Sequence, residues 1–391
     1  MTGLPNPILP VIFEDIWEFP VQGGLVLARP DVHGLFILNH TASTIWHLLR
    51  EGLAAREIED LYASLFSLTA SQAAADVNTA LDAWQTGLLS PVSPAPANPP
   101  GSVLGLRDFA FVGDYSLLAT HLRIRLNTQD LVEEIVPRLQ SLAPASPDAT
   151  PAFCFDVIDL GGRISVYCDS VELAREEHSG AARAILLEEM VRVSEPGRHW
   201  LAVLHAGACG SPAKACGSAS GCVLFAGSSH SGKTTLAAAL MYSGLELLSD
   251  DSSAIDNETL EIPAMPFAFM LREGSWAALA SRYPQLETIP IVSRYGQRVR
   301  FLAPDPDRWP SSKARAKTLL FTRYEPGSST VLTPLPPLAA LLKLQESGFW
   351  VEHTPRQIGR FLSWMESIPA YTLQYSNLDD AIFQVRSAAK L

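Results

Sequence analysis

A mixed α/β (α+β) chain of more than one domain is predicted by three features of this sequence. A proline-rich stretch interrupts it between Ser90 and Ser102, strand-like and helical stretches alternate through its middle, and at 221–240 an apolar run, a glycine-bearing loop and a helix follow one another directly. Its 391 residues also exceed one ordinary core, because domains usually run about 100 to 200 residues.

The interruption reads SPVSPAPANPPGS, with proline at 91, 94, 96, 99 and 100, a composition that favours extended polyproline geometry over packing. It is read as a linker over 91–102, which sets apart a module at 1–90. Within that module the apolar run Leu35 to Leu38 predicts a strand. Ala42, Ile45, Trp46 and Leu49 then recur at helical spacing, as do Ile58, Leu61, Tyr62 and Leu65. A third helix carries Val77, Leu81, Trp84 and Leu88 and is opened by a capping box from Thr69 to Gln72. The module therefore reads as strand structure followed by three short helices. Its third helix, 70–86, holds no Lys or Arg to meet phosphates, which argues against DNA binding.

From 103 to 198 strand-like stretches such as Phe153 to Ile158 and Ile164 to Cys168 accompany a helical stretch near Ala181 to Val193, an α/β lobe without a recognisable catalytic constellation. Residues 199–391 carry the chemistry. Gly221 to Ala226 (GCVLFA) is a short strand that runs into Gly227, Ser228, Ser229, His230, Ser231, Gly232, Lys233 and Thr234, then a helix through Leu236 to Leu240. Glycines at 227 and 232 let backbone N–H groups converge on phosphate oxygens, and the helix directs its positive end there. Lys233 would reach the β- and γ-phosphates, Thr234 would place its hydroxyl on Mg2+, and Thr235 completes the nucleotide-binding set. A GxxxxGK[ST] match arises by chance in a chain of this length with a probability of about 1%, and the strand and helix around it lower that further.

After the helix, Leu245 to Ser249 reads as a second strand ending at Asp250 and Asp251. One carboxylate at such a tip can hold magnesium while the other, raised in proton affinity by its like-charged neighbour, accepts a proton from an attacking hydroxyl. Upstream, the strand Trp200 to Leu204 delivers His205 just before Ala206 and Gly207.

Composition narrows the partners. Asp and Glu (41) outnumber Lys and Arg (29) for a net charge of −12, which opposes a broad grip on nucleic acid or anionic lipid. Cys154, Cys168, Cys209, Cys216 and Cys222 form no CxxC pair and read as reduced packing residues. The N-terminus lacks a basic start with an apolar run, and no stretch of about 18 apolar residues exists, so a cytoplasmic, membrane-free protein is expected.

Two resemblances sharpen this reading. FILNHTASTIWHLL at 36–49, with the order of elements around it, resembles the PqqD-like peptide chaperones, small winged-helix domains that recognise leader peptides of ribosomally made, modified peptides. That resemblance, over roughly 10–90, implies that a leader peptide adds a strand at the edge of Leu35, Phe36, Ile37 and Leu38 and fills a groove against Val77, Leu81 and Trp84. A module that merely dimerises or docks is the alternative.

The stretch LHAGACG…GCVLFAGSSHSGKTTLAAALMYSGLELLSDDSSAID, 204–256, resembles the HPr kinase/phosphorylase family and its diverged relatives, with weaker continuation at 266–276, 299–304 and 371–385. It implies a serine kinase whose loop sits on a phosphoenolpyruvate-carboxykinase-like P-loop fold, using ATP (or GTP) and Mg2+. In that family pattern Asp250 is the general base, His205 orients it, Lys233 is catalytic, and Thr234 and Asp251 hold the metal; the two aspartates could be exchanged. Arg272 and Glu273 are weaker candidates for phosphate and metal contact. The chain departs from true HPr kinases at His230, Ser231, Gly232 and Thr235, and it lacks their downstream Arg-Gly-x-Gly signature, so neither HPr as substrate nor the reverse phosphorylase activity is implied.

Together the resemblances imply a tailoring kinase that phosphorylates a hydroxyl of a precursor peptide, as in lasso-peptide pathways, with the N-terminal module raising the local peptide concentration. A kinase for a small metabolite or carrier protein, or a nucleotide-sensing regulator without turnover, are the alternatives. A homo-oligomer is compatible with the family, and no sequence feature counts subunits.

Overall fold

A computed structural model describes residues 15–89, 108–146, 148–211, 220–265, 267–294, 297–304 and 313–391. The linker read at 91–102 lies outside the described residues, as does Cys216. The chain is mixed α/β and divides into two compact units, one made of the N-terminal segment with 336–342 and 353–367, the other of the remainder.

In the N-terminal unit β1 (Trp17–Val21), β2 (Gly24–Arg29) and β3 (Val32–Asn39) form an antiparallel sheet in that order, followed by α1 (His40–Arg50), α2 (Ala55–Phe66) and α3 (Ala70–Thr86). The expected order of strand structure and three helices holds. Asn39 caps α1 by accepting from the Ala42 amide, and the Thr69–Gln72 capping box opens α3 as its spacing predicts. Trp46 meets Trp84 edge-on with ring centroids 5.3 Å apart, while its indole N–H donates to Glu18 at 2.8 Å.

Leu35, Leu38, Val77 and Trp84 are core residues of this unit, no more than 5% exposed. Of the seven residues expected to touch a peptide, only Phe36, Ile37 and Leu81 keep surface. Strand β3 pairs with β2 alone, so among the described residues its other edge is unpaired.

Residues 336–342 and 353–367, read from sequence as part of the catalytic segment, fold with this unit instead. The helix Pro355–Ser367 buries Ile358, Phe361, Leu362, Trp364 and Met365. Glu366 accepts from the Gln22 amide at 2.6 Å, and His353 bonds the Arg29 carbonyl at 2.7 Å. The helix is strongly two-faced, and its apolar stripe needs a partner; the β1 side of the small sheet supplies one.

The larger unit opens with β4 (Phe111–Leu117), β5 (Thr120–Leu126), α4 (Gln129–Leu139), β6 (Ala143–Pro144), β7 (Phe153–Asp159), β8 (Ile164–Cys168), β9 (Val171–Glu176) and α5 (Ser179–Arg192). Its six strands are ordered β6-β4-β5-β7-β8-β9, with only β5 and β7 parallel among the pairs. The core beneath this sheet also takes in Trp200, Val203, Ala254, Met265 and Phe267, so the stretches on either side of residue 198 share one interior.

Next come β10 (Trp200–Leu204), β11 (Gly207–Gly210), β12 (Ser220–Ala226), α6 (Lys233–Tyr242), β13 (Glu246–Ser249), β14 (Ser253–Asp256), β15 (Glu261–Ile262), β16 (Phe269–Arg272), α7 (Glu273–Leu279), β17 (Val292–Arg294), β18 (Gln297–Leu302), β19 (Ala314–Tyr324), β20 (Val331–Leu335), α8 (Pro337–Ser347), β21 (Phe349–Trp350) and β22 (Ala370–Tyr375), with a last helix at Leu378–Ala389. The central sheet runs β13-β11-β12-β19-β22-β20, and β15 adds to β19. β12, β19 and β22 are parallel, and the others are antiparallel. Every residue from Leu236 to Met241 in α6 is at most 1% exposed, which explains the unbroken apolar run there: that part of the helix is core on all sides. Cys209 and Cys222 are buried free thiols, as their packing role requires. No helix of the described residues is long and apolar enough to cross a membrane.

Candidate functional site

The loop between β12 and α6 forms because three of its residues leave the right-handed region. Gly227 has φ +147°, His230 +68° and Gly232 +95°. A Cβ on Gly227 would lie 2.7 Å from the Ser231 hydroxyl, and one on Gly232 would lie 2.2 Å from the Tyr375 hydroxyl, so both positions demand glycine. Neighbouring strands staple the loop: Ser231 Oγ meets Thr322 Oγ1 at 3.1 Å, the Tyr324 amide donates to Ser231 O at 3.0 Å, and the Tyr375 hydroxyl donates to Gly232 O at 3.0 Å.

Lys233 is the first residue of α6, with Thr234 and Thr235 completing its first turn. Its ammonium donates to Gly227 O, and to Ser228 O at 3.4 Å, which holds it across the concave side of the loop. Burial depresses its pKa, opposed by Asp251 and Asp250.

Two strand changes bring the remaining residues together. The chain passes from β10 to β11 through His205 and Ala206, and from β13 to β14 through Asp250, Asp251 and Ser252. Because β10 pairs with β14 and β11 with β13, the two connections lie side by side. Ser253 Oγ donates to Ala206 O at 2.9 Å, and Ser249 Oγ donates to Ser252 O at 2.6 Å, which fixes the Asp-Asp turn. Gly207 permits the approach, since a Cβ there would be 2.1 Å from the Phe225 ring and 3.0 Å from Asp250 O.

The two carboxylates have different surroundings. Asp250 is 3% exposed, its Oδ1 has no hydrogen-bond partner among the described residues, and the nearby Thr234 hydroxyl lowers its proton affinity slightly. Burial pushes its pKa up to about 6, against the pull of Arg138 and with a push from Asp251. The Asp251 side chain is a third exposed and lies 3.4 Å from His205 Nε2. Burial would raise its pKa, but His205, Arg138, Lys233 and Arg183 outweigh that and hold it below the usual carboxylate range.

Arg138 is the residue that sequence reading missed. It sits in the last turn of α4, 2% exposed, and reaches Asp250 Oδ2 at 3.2 Å and Asp251 Oδ2 at 3.6 Å while also donating to Ala268 O. Behind it, Arg183 pairs with Glu134 of α4. The signal was present: Leu131, Glu134, Ile135 and Arg138 fall at helical spacing, so two charges interrupt a buried stripe.

Of the weaker candidates, Arg272 joins the loop by bonding His230 Nε2 at 2.6 Å, whereas Glu273 pairs with Arg298 at an exposed position. Thr322, Tyr324 and Tyr375 are further loop contacts that no sequence motif announced.

A cavity of about 360 Å³ opens between the loop and the ends of β19 and α8, lined by Thr322, Tyr324, Lys343 and Ser347 among others. A second, of about 350 Å³, lies beside His205 and Asp251 and also reaches Ser347. The donors suit a nucleotide and magnesium. The unpartnered Oδ1 of Asp250 and the nearby Thr234 hydroxyl offer oxygen ligands, and Mg2+ bound to phosphates needs only one or two protein carboxylates. Among the described residues no cluster of three His, Cys, Asp or Glu forms a closed metal cage. Comparison with known family models and with curated proteins gives no match to this chain.

Proposed function

We propose that this chain is an ATP-dependent kinase that transfers the γ-phosphoryl group to a hydroxyl, a serine of a ribosomally made precursor peptide. One observation carries the reading: a phosphate-type loop whose Thr234 lies beside one carboxylate, Asp250, while the adjacent carboxylate, Asp251, faces a second cavity next to His205.

Loop amides and Lys233 hold the phosphates, and Tyr375 and Thr322 keep the loop in register. Thr234 and Asp250 are the groups that would hold magnesium, which when bound neutralises charge on the phosphates. The geometry thus favours the exchanged assignment, with Asp251 rather than Asp250 facing the acceptor. The acceptor oxygen forms a bond to the γ-phosphorus, the bond to the bridging oxygen of ADP breaks, and the hydroxyl proton passes to Asp251. A carboxylate of low proton affinity suffices, because a loose transition state leaves catalysis mainly to positioning and charge stabilisation. His205 orients Asp251 from 3.4 Å.

The N-terminal unit is proposed to hold the leader. The unpaired edge of β3 supplies main-chain groups, and Phe36 and Ile37 supply side-chain contacts. The deciding experiment is incubation with γ-labelled ATP and magnesium, with and without precursor peptide. Asp251→Asn should abolish labelling while ATP still binds, and Ile37→Lys should weaken peptide binding at unchanged ATP affinity. ATP binding without label on any peptide would reduce the chain to a nucleotide sensor.

A further inference from the structure

The cavity beside His205 holds a carboxylate that the proposed phosphoryl transfer does not use. Glu188, on α5, lines it together with Asp251, and its walls include Leu187, Leu204 and Phe349. Glu188 makes no hydrogen bond or ion pair among the described residues. The cation that acts on it, Arg192, is engaged elsewhere, by Glu189 and by the face of Trp350 at 4.7 Å. Burial raises the Glu188 pKa, with a further push from Glu189. Glu188 is half-buried, so its carboxylate stays open to the cavity and can take a partner that enters it.

The lining is complementary to one kind of group. Glu188 presents a carboxylate without a cation of its own, while the charge of Asp251 is balanced by its basic neighbours, and Phe349 in the lining suits the aliphatic stem of a long basic side chain. At about 350 Å³ the cavity is at the small end of ligand pockets, sized for side chains rather than a folded surface.

We propose that this cavity selects an acceptor hydroxyl presented next to a positive charge, a serine flanked by lysine or arginine, with Glu188 reading the charge while Asp251 faces the hydroxyl. The inference rests on the kinase reading above and adds the acceptor's class. Glu188 is a specificity residue; it takes no part in the proton transfer.

The test uses the full chain, ATP, magnesium and short peptides that differ only at the residues flanking one serine, which are Lys, Arg, Gln or Glu. The wild type should favour the basic peptides over the Gln peptide by about tenfold in kcat/KM, the worth of one charge-assisted hydrogen bond, and should use the Glu peptide least. Glu188→Gln should bring those ratios towards one and Glu188→Lys should invert them, both through KM, with ATP affinity unchanged as the check on folding. Equal use of all four peptides, or a basic preference that survives Glu188→Gln, overturns the inference while leaving the kinase reading standing. No label on any peptide removes the kinase reading and this inference with it.

Discussion

Replacing Arg138 by Met tests whether the site is held by one buried cation shared between two carboxylates. Arg138 is 2% exposed and reaches Asp250 at 3.2 Å and Asp251 at 3.6 Å, so methionine fills much of its volume while leaving both charges without it. Removing one partner of a buried ion pair typically costs about 3 to 5 kcal/mol. The loss should be smaller at about pH 5 than at about pH 7.5, because a protonated Asp250 no longer needs the guanidinium. Adding Asp250→Asn to Arg138→Met should recover part of the loss, with a coupling of about 1.5 kcal/mol or more between the two sites. Urea unfolding of the four proteins of this cycle, followed by tryptophan fluorescence at both pH values, measures each number. A loss below about 1 kcal/mol at the higher pH, or one equal at both, would show that the carboxylates do not depend on Arg138.

Three further outcomes follow from the same geometry. Asp250 has its folded pKa raised from 3.8 to about 6, so its contribution favours the folded state as pH falls through about 6 and levels off near the unfolded value. Between about pH 7.5 and pH 5 this group should add roughly 1.4 kcal/mol of stability, a gain that urea unfolding should find missing in Asp250→Asn; an equal gain in the variant would contradict the assignment. Lys233→Ala should weaken ATP binding by about 10- to 100-fold in calorimetry, the worth of one charge-assisted contact, and unchanged affinity would remove the loop from the donor site. Gly232→Ala places a Cβ 2.2 Å from the Tyr375 hydroxyl at a φ of +95°; it should destabilise by about 1 to 3 kcal/mol, and a change within about 0.5 kcal/mol would mean the loop is not fixed by Tyr375.

The parts of this fold that the sequence announces are those written in local chemistry. The capping box at Thr69, the run GCVLFA before the loop, and Asp250 and Asp251 after a short strand each carry their signal within a few residues. Arg138 was not legible because its partner lies 112 residues away, and an arginine in a two-faced helix looks like surface until the helix phase is worked out. The helix Pro355–Ser367 was assigned by sequence position rather than by contact, and its apolar stripe does not say which sheet it will cover. The buried side of α3 was misjudged for a related reason: Val77 and Trp84 recur at helical spacing, which marks a core face as readily as a groove, and the three-helix core takes them.

What the structure adds to the Asp-Asp signal is a reason for two adjacent identical residues to do different work. Asp250 and Asp251 share a bend and both reach Arg138, but Asp250 is buried with Thr234 nearby, whereas Asp251 is a third exposed beside His205 and the second cavity. Burial raises the proton affinity of both, and the neighbouring basic groups separate them: Asp250 stays raised, while His205, Arg138, Lys233 and Arg183 hold Asp251 low. Either order of roles satisfies the sequence spacing; the fold distinguishes the two by burying Asp250 and leaving Asp251 at the second cavity. The consequence is an asymmetric pair of phenotypes. Asp251→Asn should remove transfer and leave nucleotide affinity intact, whereas Asp250→Asn should lower the magnesium dependence of nucleotide binding itself. Finding the two phenotypes reversed would place the base on Asp250 and require the acceptor to approach from the buried side of the turn.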